Sequence, residues 1–538
     1  MKKRWMAIAM ASVMLAVTAC GSSSSSEETS SASQESAGAS EAGGEESGGE
    51  AGAEGETVLD KDTMTIGCYG AVQSLFPAND TKIPGAQVFV NVYDTLLTLD
   101  KEGNLQPMLA ESWEQVDDTT YRFKLREGVK FHNGEEMKAS DVVFSMQVLC
   151  ESAATASNTA QFDPSGFVAE DDYTVVLTTT QPFAPFLKNL CSPSMSIFSQ
   201  SFYEEHEAAG DLDLVECGTG PYMVAEWNEG ENLLLERFDD YYGGPAKMQY
   251  INLRYIPEAN TRLMELESGG IDLMQEVPGV SVAEIEANDE LTLWTATGVN
   301  TSYLALNYDK ISDTTVREAI AHSINNEQLC EICLMGAAEP LNRVVPPSVP
   351  GSYDAGSYEY DPELSKQLLA EAGYPDGITL ELSYYSSSDN RRMGEFLQGM
   401  MAESGITLEL NEMDSSAYTP FLNSRQQEAA ICTTVCSLRE PYQTLKNLYS
   451  ASCGEGGNRV NYNNPEYDEM LNAAIAESDE TKRNEMYAEI QQYLYDNVVY
   501  IPLYNMKVQT ATRSNIRGFD MIYPTSYQRY NTCYFVEE

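Results

Sequence analysis

Apolar and basic side chains alternate strictly over Tyr-Arg-Phe-Lys-Leu-Arg, residues 121–126. This period of two predicts a β-strand with an apolar face in a core and a basic face in water. Turn-forming pairs bracket the strand, with Asp117-Asp118 before it and Asn133-Gly134 after it. The segment is therefore predicted to run turn, strand, turn, and to bury only one of its faces.

A helix is predicted directly after this strand. Ser140 or Asp141 can cap its first turn, because short polar side chains accept hydrogen bonds from free N–H groups at a helix start. Neighbouring rows of the helix then carry Val143, Phe144, Gln147 and Val148.

Strand and helix patterns alternate through the rest of the chain. A helix is predicted over residues 88–97, and further helices are predicted to begin at caps formed by Asp313, Asn325 and Asp361. This alternation predicts an α/β class. A chain of 538 residues is also too long for one hydrophobic core, so two or three domains are expected.

The first residues are predicted to be a signal sequence rather than part of the fold. Residues 2–4 are basic, residues 5–17 form a short apolar run, and small residues precede Cys20. The segment resembles a bacterial lipobox, which implies cleavage of residues 1–19 and a lipid on Cys20. Residues 20–60 are then a lipidated cysteine followed by an acidic Ser/Gly linker, which is too polar to fold.

The formal net charge of −51, from 83 acidic and 32 basic residues, makes nucleic acid a poor partner. This negative charge has two interpretations: it keeps the protein soluble, or it attracts a cationic ligand.

Cysteine and histidine are too sparsely arranged to indicate a resident metal. Cys330 and Cys333 have the spacing of a zinc or redox pair, but they fall in a helical pattern and fit a hydrophobic core equally well. A disulfide among the ten cysteines other than Cys20 is a third alternative. With 3 histidines in the chain, a direct nickel site is disfavoured, and neither a metal nor a cofactor is expected.

The amino-acid motifs within residues 107–146 carry more information than the periodicity of the segment. The motifs Pro-x-Leu-Ala-x-Ser-Trp, Tyr-x-Phe-x-Leu-Arg-x-Gly-Val-Lys-Phe and Ala-x-Asp-Val-Val-Phe-Ser resemble the signature of the peptide/nickel solute-binding proteins, family 5, of ABC importers. The resemblance implies a two-lobe periplasmic-binding-protein-like α/β fold, class II type and cluster C, with an extra domain inserted in the first lobe. Ligand is expected between the lobes, which close on it.

The resemblance also implies the division of the chain. The first lobe is expected to take residues 61–96, 215–298 and 505–538, the inserted domain 97–214, and the second lobe 299–504.

The residues that hold dipeptides in this family do not all have counterparts here. The position for the acidic residue that binds the amino group is Ser437, and the position for the arginine that binds the carboxylate is Tyr384. A tryptophan expected near Ser415 is absent. Both charged anchors are therefore missing, and burying a charged ligand end without a countercharge is costly. The candidate cleft residues are Ser74, Leu75, Tyr384, Tyr385, Ser415, Ser437 and Arg439.

The expected function is that of a lipid-anchored binding protein that delivers peptides to the permease and ATPase subunits of an importer. It is expected to be a monomer on the outer face of the cytoplasmic membrane. The alternatives are the same role for a metal chelate, a sugar or another small molecule, a surface hydrolase, and an adhesin or sensor. Enzyme activity is not expected, since neither Gly-x-Ser-x-Gly nor His-Glu-x-x-His occurs in the sequence.

Overall fold

The structure is a computed structural model that describes residues 56–451 and 456–537. The predicted signal sequence, Cys20, most of the acidic linker and Cys453 lie outside the described residues. Within the described ranges, no helix has both the length and the apolar character needed to cross a bilayer.

Strands and helices alternate along the chain, which confirms the predicted α/β class. The strands are β1 (Thr63–Cys68), β2 (Leu97–Leu99), β3 (Leu105–Pro107), β4 (Ala110–Asp117), β5 (Thr120–Leu125), β6 (Val168–Asp171), β7 (Thr174–Thr178), β8 (Tyr222–Asn228), β9 (Asn232–Arg237), β10 (Tyr250–Tyr255), β11 (Leu273–Gln275), β12 (Leu291–Thr297), β13 (Asn300–Leu306), β14 (Ala338–Pro340), β15 (Ile378–Tyr385), β16 (Ile406–Met413), β17 (Ala429–Val435), β18 (Ile501–Arg513), β19 (Ile516–Arg517) and β20 (Tyr534–Phe535). The helices are α1 (Ile83–Val92), α2 (Ala139–Glu151), α3 (Ala156–Thr159), α4 (Phe186–Asn189), α5 (Gln200–Ala209), α6 (Ala259–Glu267), α7 (Gly279–Glu286), α8 (Thr314–Ala321), α9 (Asn326–Gln328), α10 (Pro362–Glu371), α11 (Ser388–Ala402), α12 (Ser415–Asn423), α13 (Pro441–Tyr449), α14 (Pro465–Ala476) and α15 (Glu480–Asp496).

One sheet has the order β18-β11-β1-β10-β9-β8, with β12 paired to β18 as well. Strand β1 runs parallel to both β10 and β11. The remaining pairs in this sheet are antiparallel. The carboxyl ends of β1, β10 and β11 therefore meet at one edge of the sheet.

A second sheet has the order β16-β15-β17-β13-β18, with β14 paired to β18 as well. Strand β15 is parallel to β16 on one side and to β17 on the other. Strand β13 is antiparallel to β17 and to the first residues of β18. The carboxyl ends of β15, β16 and β17 thus lie together, next to the amino end of β13.

Strand β18 belongs to both sheets. Its first residues, Ile501 to Tyr504, pair with β13, and residues from Lys507 to Arg513 pair with β12 and β11. The register between β13 and β18 shifts between Ser302 and Tyr303, and β14 pairs with Tyr504, Asn505 and Met506 of β18. One continuous strand therefore joins the second sheet to the first, and we call β18 the crossing strand.

A third sheet, β4-β5-β7-β6, lies wholly within the segment predicted as the inserted domain. Strand β5 confirms the predicted alternation, because Tyr121, Phe123 and Leu125 are buried. The predicted bounds of the three domains stay a prediction.

The helix after β5 differs from the prediction in its cap and its buried face. It begins at Ala139, and Asp141 lies in its first turn, where its carboxylate accepts a hydrogen bond from the N–H of Lys138 at 2.9 Å. The core contacts the row of Ala139, Val142, Ser145, Met146 and Leu149, while the predicted row is half-buried or exposed. Both rows contain apolar residues, so the sequence pattern alone did not separate them.

The helix predicted over residues 88–97 was placed several residues too late. Helix α1 begins at Ile83, with Pro84 in its first turn, and ends at Val92. By contrast, the predicted caps are confirmed, since Asp313, Asn325 and Asp361 each accept a hydrogen bond from an N–H of the first helical turn.

Candidate functional site

A cavity of about 630 Å³ opens where the parallel strands of the second sheet end. Strand β15 ends at Tyr385, β16 at Met413 and β17 at Val435. The edge formed by the carboxyl ends of parallel strands is where open α/β sheets place ligands, because the following loops diverge there. The cavity is lined by Ser302, Tyr303, Leu334, Tyr385, Ser387, Asp389, Asn390, Met393, Ser415, Tyr418, Thr419, Leu422, Ile431, Cys432, Thr433, Arg459, Tyr504 and Met506.

The alternation of β15 separates two of the predicted ligand residues. Tyr385 is the last residue of the strand, lines the cavity and is 44% exposed. Tyr384 points to the opposite face, as neighbours in a strand must, and is buried against α11. A Cβ atom added to Gly394 of that helix would lie 2.8 Å from the Tyr384 ring. The structure thus places Tyr385 in the cavity wall and Tyr384 in the core behind it.

Helix α12 supplies the wall opposite β15. Ser415 is its first residue, and is exposed at the cavity mouth. Tyr418, one turn later, lies with its ring centroid 5.9 Å from that of Tyr385. The Tyr418 hydroxyl donates to the carbonyl oxygens of Ser383 at 3.2 Å and Ile431 at 2.7 Å, which fixes its position. The two rings form an aromatic corner with hydroxyl groups around it.

Two charged side chains line the cavity, Arg459 and Asp389. Asp389 lies in the first turn of α11 and pairs with Arg392 at 2.6 Å. Arg459 lies in the loop before α14 and donates a hydrogen bond to Asn423 at the end of α12. Burial raises the pKa of the Cys432 thiol to about 12, and the positive charge of Arg459 opposes that rise.

The predicted residues of the first lobe lie in the interior rather than in this wall. Ser74 and Leu75 are buried between β1 and α1. The main-chain carbonyl of Leu75 accepts a hydrogen bond from the Tyr93 hydroxyl at 2.9 Å. The N–H of Leu75 donates to the main-chain carbonyl oxygen of Asp213 at 2.8 Å. The contact of Ser74 and Leu75 with a ligand stays a prediction.

Ser437 and Arg439 follow β17 but do not line the cavity. Ser437 is exposed. Arg439 is buried, has a left-handed φ of 51°, and donates to the carbonyl oxygens of Asp100 at 3.1 Å and Ser348 at 2.8 Å. Its guanidinium therefore joins the loop after β2 to the second lobe. A ligand contact by Ser437 or Arg439 stays a prediction too.

Sequence reasoning missed Arg459. Its loop has no periodicity, and both Asn458 and Asn461 beside it adopt left-handed φ angles of 50° and 54°. Asparagine is one of the few residues that tolerate this conformation, so the Asn-Arg-Val-Asn spacing was the available signal for a tight, irregular loop.

The described cysteines and acids show no metal centre. Within residues 56–451 and 456–537, no group of three or more histidine, cysteine or acidic side chains is close enough to hold an ion. Cys330 and Cys333 lie in a π-helical turn, Leu329–Cys333, and both are buried free thiols. The other described cysteines, including Cys432 and Cys436, are free as well. The cavity lining itself offers hydroxyl and amide groups, tyrosine rings and two charged side chains, Arg459 and Asp389.

Comparison with known proteins agrees with this arrangement. The glutathione-binding protein GsiB of Escherichia coli O1:K1 / APEC is 27% identical over 471 residues, covering 82% of this chain and 88% of GsiB.

Solved structures share the fold over nearly the whole described chain. The periplasmic binding protein DppA from Helicobacter pylori, in complex with the peptide STSA, has a TM-score of 0.76 and 27% identity, covering 88% of this chain and 98% of DppA. The substrate-binding protein CtaP from Listeria monocytogenes has a TM-score of 0.80 and 24% identity, covering 89% of this chain and 100% of CtaP. These relatives are solute-binding proteins of ABC transporters rather than enzymes.

The model of the family described as "Bacterial extracellular solute-binding proteins, family 5 Middle" matches residues 104–456. The chain therefore belongs to family 5 of the bacterial extracellular solute-binding proteins, the two-lobe α/β proteins that capture solutes outside the cytoplasm for ABC importers.

Proposed function

We propose that this chain is a lipid-anchored capture subunit that binds a peptide, or a solute of peptide size, between its two lobes. The observation that carries the proposal is the cavity at the carboxyl ends of β15, β16 and β17, beside the crossing strand, which would form the second lobe's wall of that site. Its volume of about 630 Å³ lies within the range of small-molecule sites, roughly 300–1,000 Å³.

The lining suits a flexible, polar solute. Hydroxyl and amide groups of Ser302, Asn390, Ser415 and Thr433 provide donors and acceptors for backbone-like groups. The aromatic corner of Tyr385 and Tyr418 provides apolar surface for side chains. GsiB binds glutathione and DppA is in complex with a peptide, which supports a ligand of this kind.

In this proposal the first lobe comprises residues 61–96, 215–298 and 505–538, and the second comprises 299–504. The lobes close on the solute by rotation about the crossing strand, which strips water from both of its faces. The loaded protein then docks on a permease with its ATPase subunits, and the protein itself acts as a monomer.

Two experiments test the ligand. Mass spectrometry of solutes released from natively purified protein identifies what it carries, and isothermal titration calorimetry with di- to tetrapeptides measures affinity. Tyr385→Ala is expected to weaken binding roughly tenfold, because it removes half of the aromatic corner. Tyr374→Ala removes an equally exposed tyrosine outside the cavity, with 48% exposure, and is expected to bind as wild type does. A protein that carries a sugar or metal chelate and binds no peptide would contradict the peptide ligand and leave the importer role.

The lipid anchor on Cys20 has its own test. In cells fed a radiolabelled fatty acid, the wild type is expected to carry the label and to sediment with membranes. Cys20→Ser is expected to carry no label and to appear in the soluble fraction. Membrane association that survives Cys20→Ser would contradict the anchor.

A further inference from the structure

We propose that Arg459 holds a carboxylate of the captured solute, so that the ligands are small solutes with a free carboxylate rather than neutral or purely cationic ones. This inference rests on the proposed function and names the ligand class of the same cavity.

Arg459 is the basic side chain in the lining of the cavity. Among the described residues, no carboxylate forms an ion pair with Arg459. The side chain is half-buried and lines the cavity. A guanidinium that is partly removed from water favours a position next to an anion, and the cavity leaves that place for a ligand.

The contacts of Arg459 orient its planar group. One of its terminal nitrogens donates to the side-chain oxygen of Asn423, which ties the guanidinium to the end of α12. Its charge also acts on the buried Tyr303, Tyr418 and Cys432, where it opposes the rise of each pKa that burial causes. Tyr303, Tyr418 and Cys432 line the same cavity, so Arg459 shares its wall with these three side chains.

The negative charge that shares the cavity does not cancel this cation. Asp389 lines the wall, but it forms a 2.6 Å ion pair with Arg392, and its side chain is 61% exposed. The Asp389–Arg392 pair is neutral as a unit, so the charge left for the ligand is positive.

Arg459 also offers a replacement for the usual carboxylate anchor of the family, which is missing here. That anchor corresponds to Tyr384, which is uncharged and buried away from the cavity. Arg459 supplies a cation from a different loop, beyond β17 and α13, at the edge where β15 ends. A carboxylate bound to it would accept two parallel N–H bonds, the geometry that makes arginine–carboxylate pairs strong and directional. The amino-group position, Ser437, carries no acid, so the other end of the ligand gains no ion pair there.

The test compares matched ligands with and without the carboxylate. A panel of di- to tetrapeptides and the same panel with amidated C-termini are titrated into purified wild type, Arg459→Gln, Arg459→Lys and Arg122→Gln. The last variant removes the same charge from an exposed arginine of β5, which pairs with Glu114 and Glu170. Thermal melts and circular dichroism show that each variant is folded before it is titrated.

The wild type and Arg122→Gln are expected to bind the acids roughly 10- to 100-fold more tightly than the amides, the range of a charged hydrogen-bonded contact. Arg459→Gln is expected to lose that preference, and Arg459→Lys to keep part of it. If Arg459→Gln is folded and still prefers acids, or if the wild type binds amides equally well, Arg459 is not the anchor, and the proposed function stands. If the wild type binds neither panel, the proposed peptide function fails, and the anchor for peptide carboxylates fails with it.

Discussion

The buried ion pair of Asp94 and Arg529 allows a stability prediction whose size follows from the geometry. A guanidinium nitrogen of Arg529 donates to the Asp94 carboxylate at 2.7 Å, and the Thr219 hydroxyl donates to the same carboxylate at 3.1 Å. The pair joins the end of α1 to the chain's last segment, and its side chains are 0% and 11% exposed. At 2.7 Å and an effective dielectric constant of about 20, the attraction is roughly 6 kcal/mol.

Most of that attraction only compensates for removing both charges from water. Burial raises the pKa of the Asp94 carboxyl, and the charge of Arg529 opposes the rise. Replacing one partner leaves the other buried without a countercharge, which costs about 3–5 kcal/mol. We therefore expect Asp94→Asn and Arg529→Met each to lower the free energy of unfolding by that amount. The double variant is expected to lose less than the sum, with a coupling free energy of about 2–3 kcal/mol.

The assay is urea-induced unfolding at pH 7, followed by both tryptophan fluorescence and circular dichroism so that coincident transitions justify a free energy. The matched control is Lys101→Met, which breaks an exposed ion pair with Asp520 and is expected to cost at most about 1 kcal/mol. Additive losses in the double-variant cycle would refute the claim that the two charges depend on each other.

Three further predictions concern buried groups. Arg317 has no exposed surface and donates to four main-chain carbonyl groups. Arg317→Ala is therefore expected to lower the free energy of unfolding by about 4 kcal/mol or more in the same urea assay. A loss below about 1 kcal/mol would contradict this prediction. Burial lowers the pKa of His132 from 6.5 to about 4. Its contribution to stability is therefore complete above pH 6.5 and is lost as the pH falls toward 4. His132→Gln should flatten this part of the stability–pH curve, and an unchanged slope would argue against this role of His132. A Cβ atom on Gly220 would lie 2.6 Å from the main-chain carbonyl carbon of Val92. Gly220→Ala is therefore expected to lower the melting temperature by several degrees. Gly134 faces open space, so Gly134→Ala should change the melting temperature only through the left-handed φ of that residue.

The parts of the fold that the sequence predicted well are those with local causes. Strand β5 follows from its own alternation, and the caps of α8, α9 and α10 follow from Asp313, Asn325 and Asp361, whose side chains bond within one turn. The face of α2 depends instead on which neighbours pack against it. Because both of its rows carry apolar residues, tertiary contacts decide the buried row, and these are absent from a local pattern.

The same distinction between local causes and tertiary contacts explains which residues of the candidate site were predicted. Tyr385 and Ser415 were predicted and line the cavity, since each lies where a strand ends or a helix begins next to the sheet edge. Arg459 reaches that edge from an irregular loop after α13, and only the fold brings it beside β17. Arg439 shows the reverse case, because it is close to the predicted anchor in sequence but its guanidinium bonds to main-chain carbonyls.

The crossing strand has a mechanical consequence. Ile501–Tyr504 is paired in one sheet and Lys507–Arg513 in the other, and β14 pairs with Tyr504, Asn505 and Met506, so the strand stays paired where it passes between the sheets. Sliding the two sheets past each other along β18 would break these pairings, so the crossing strand fixes the register of one sheet relative to the other.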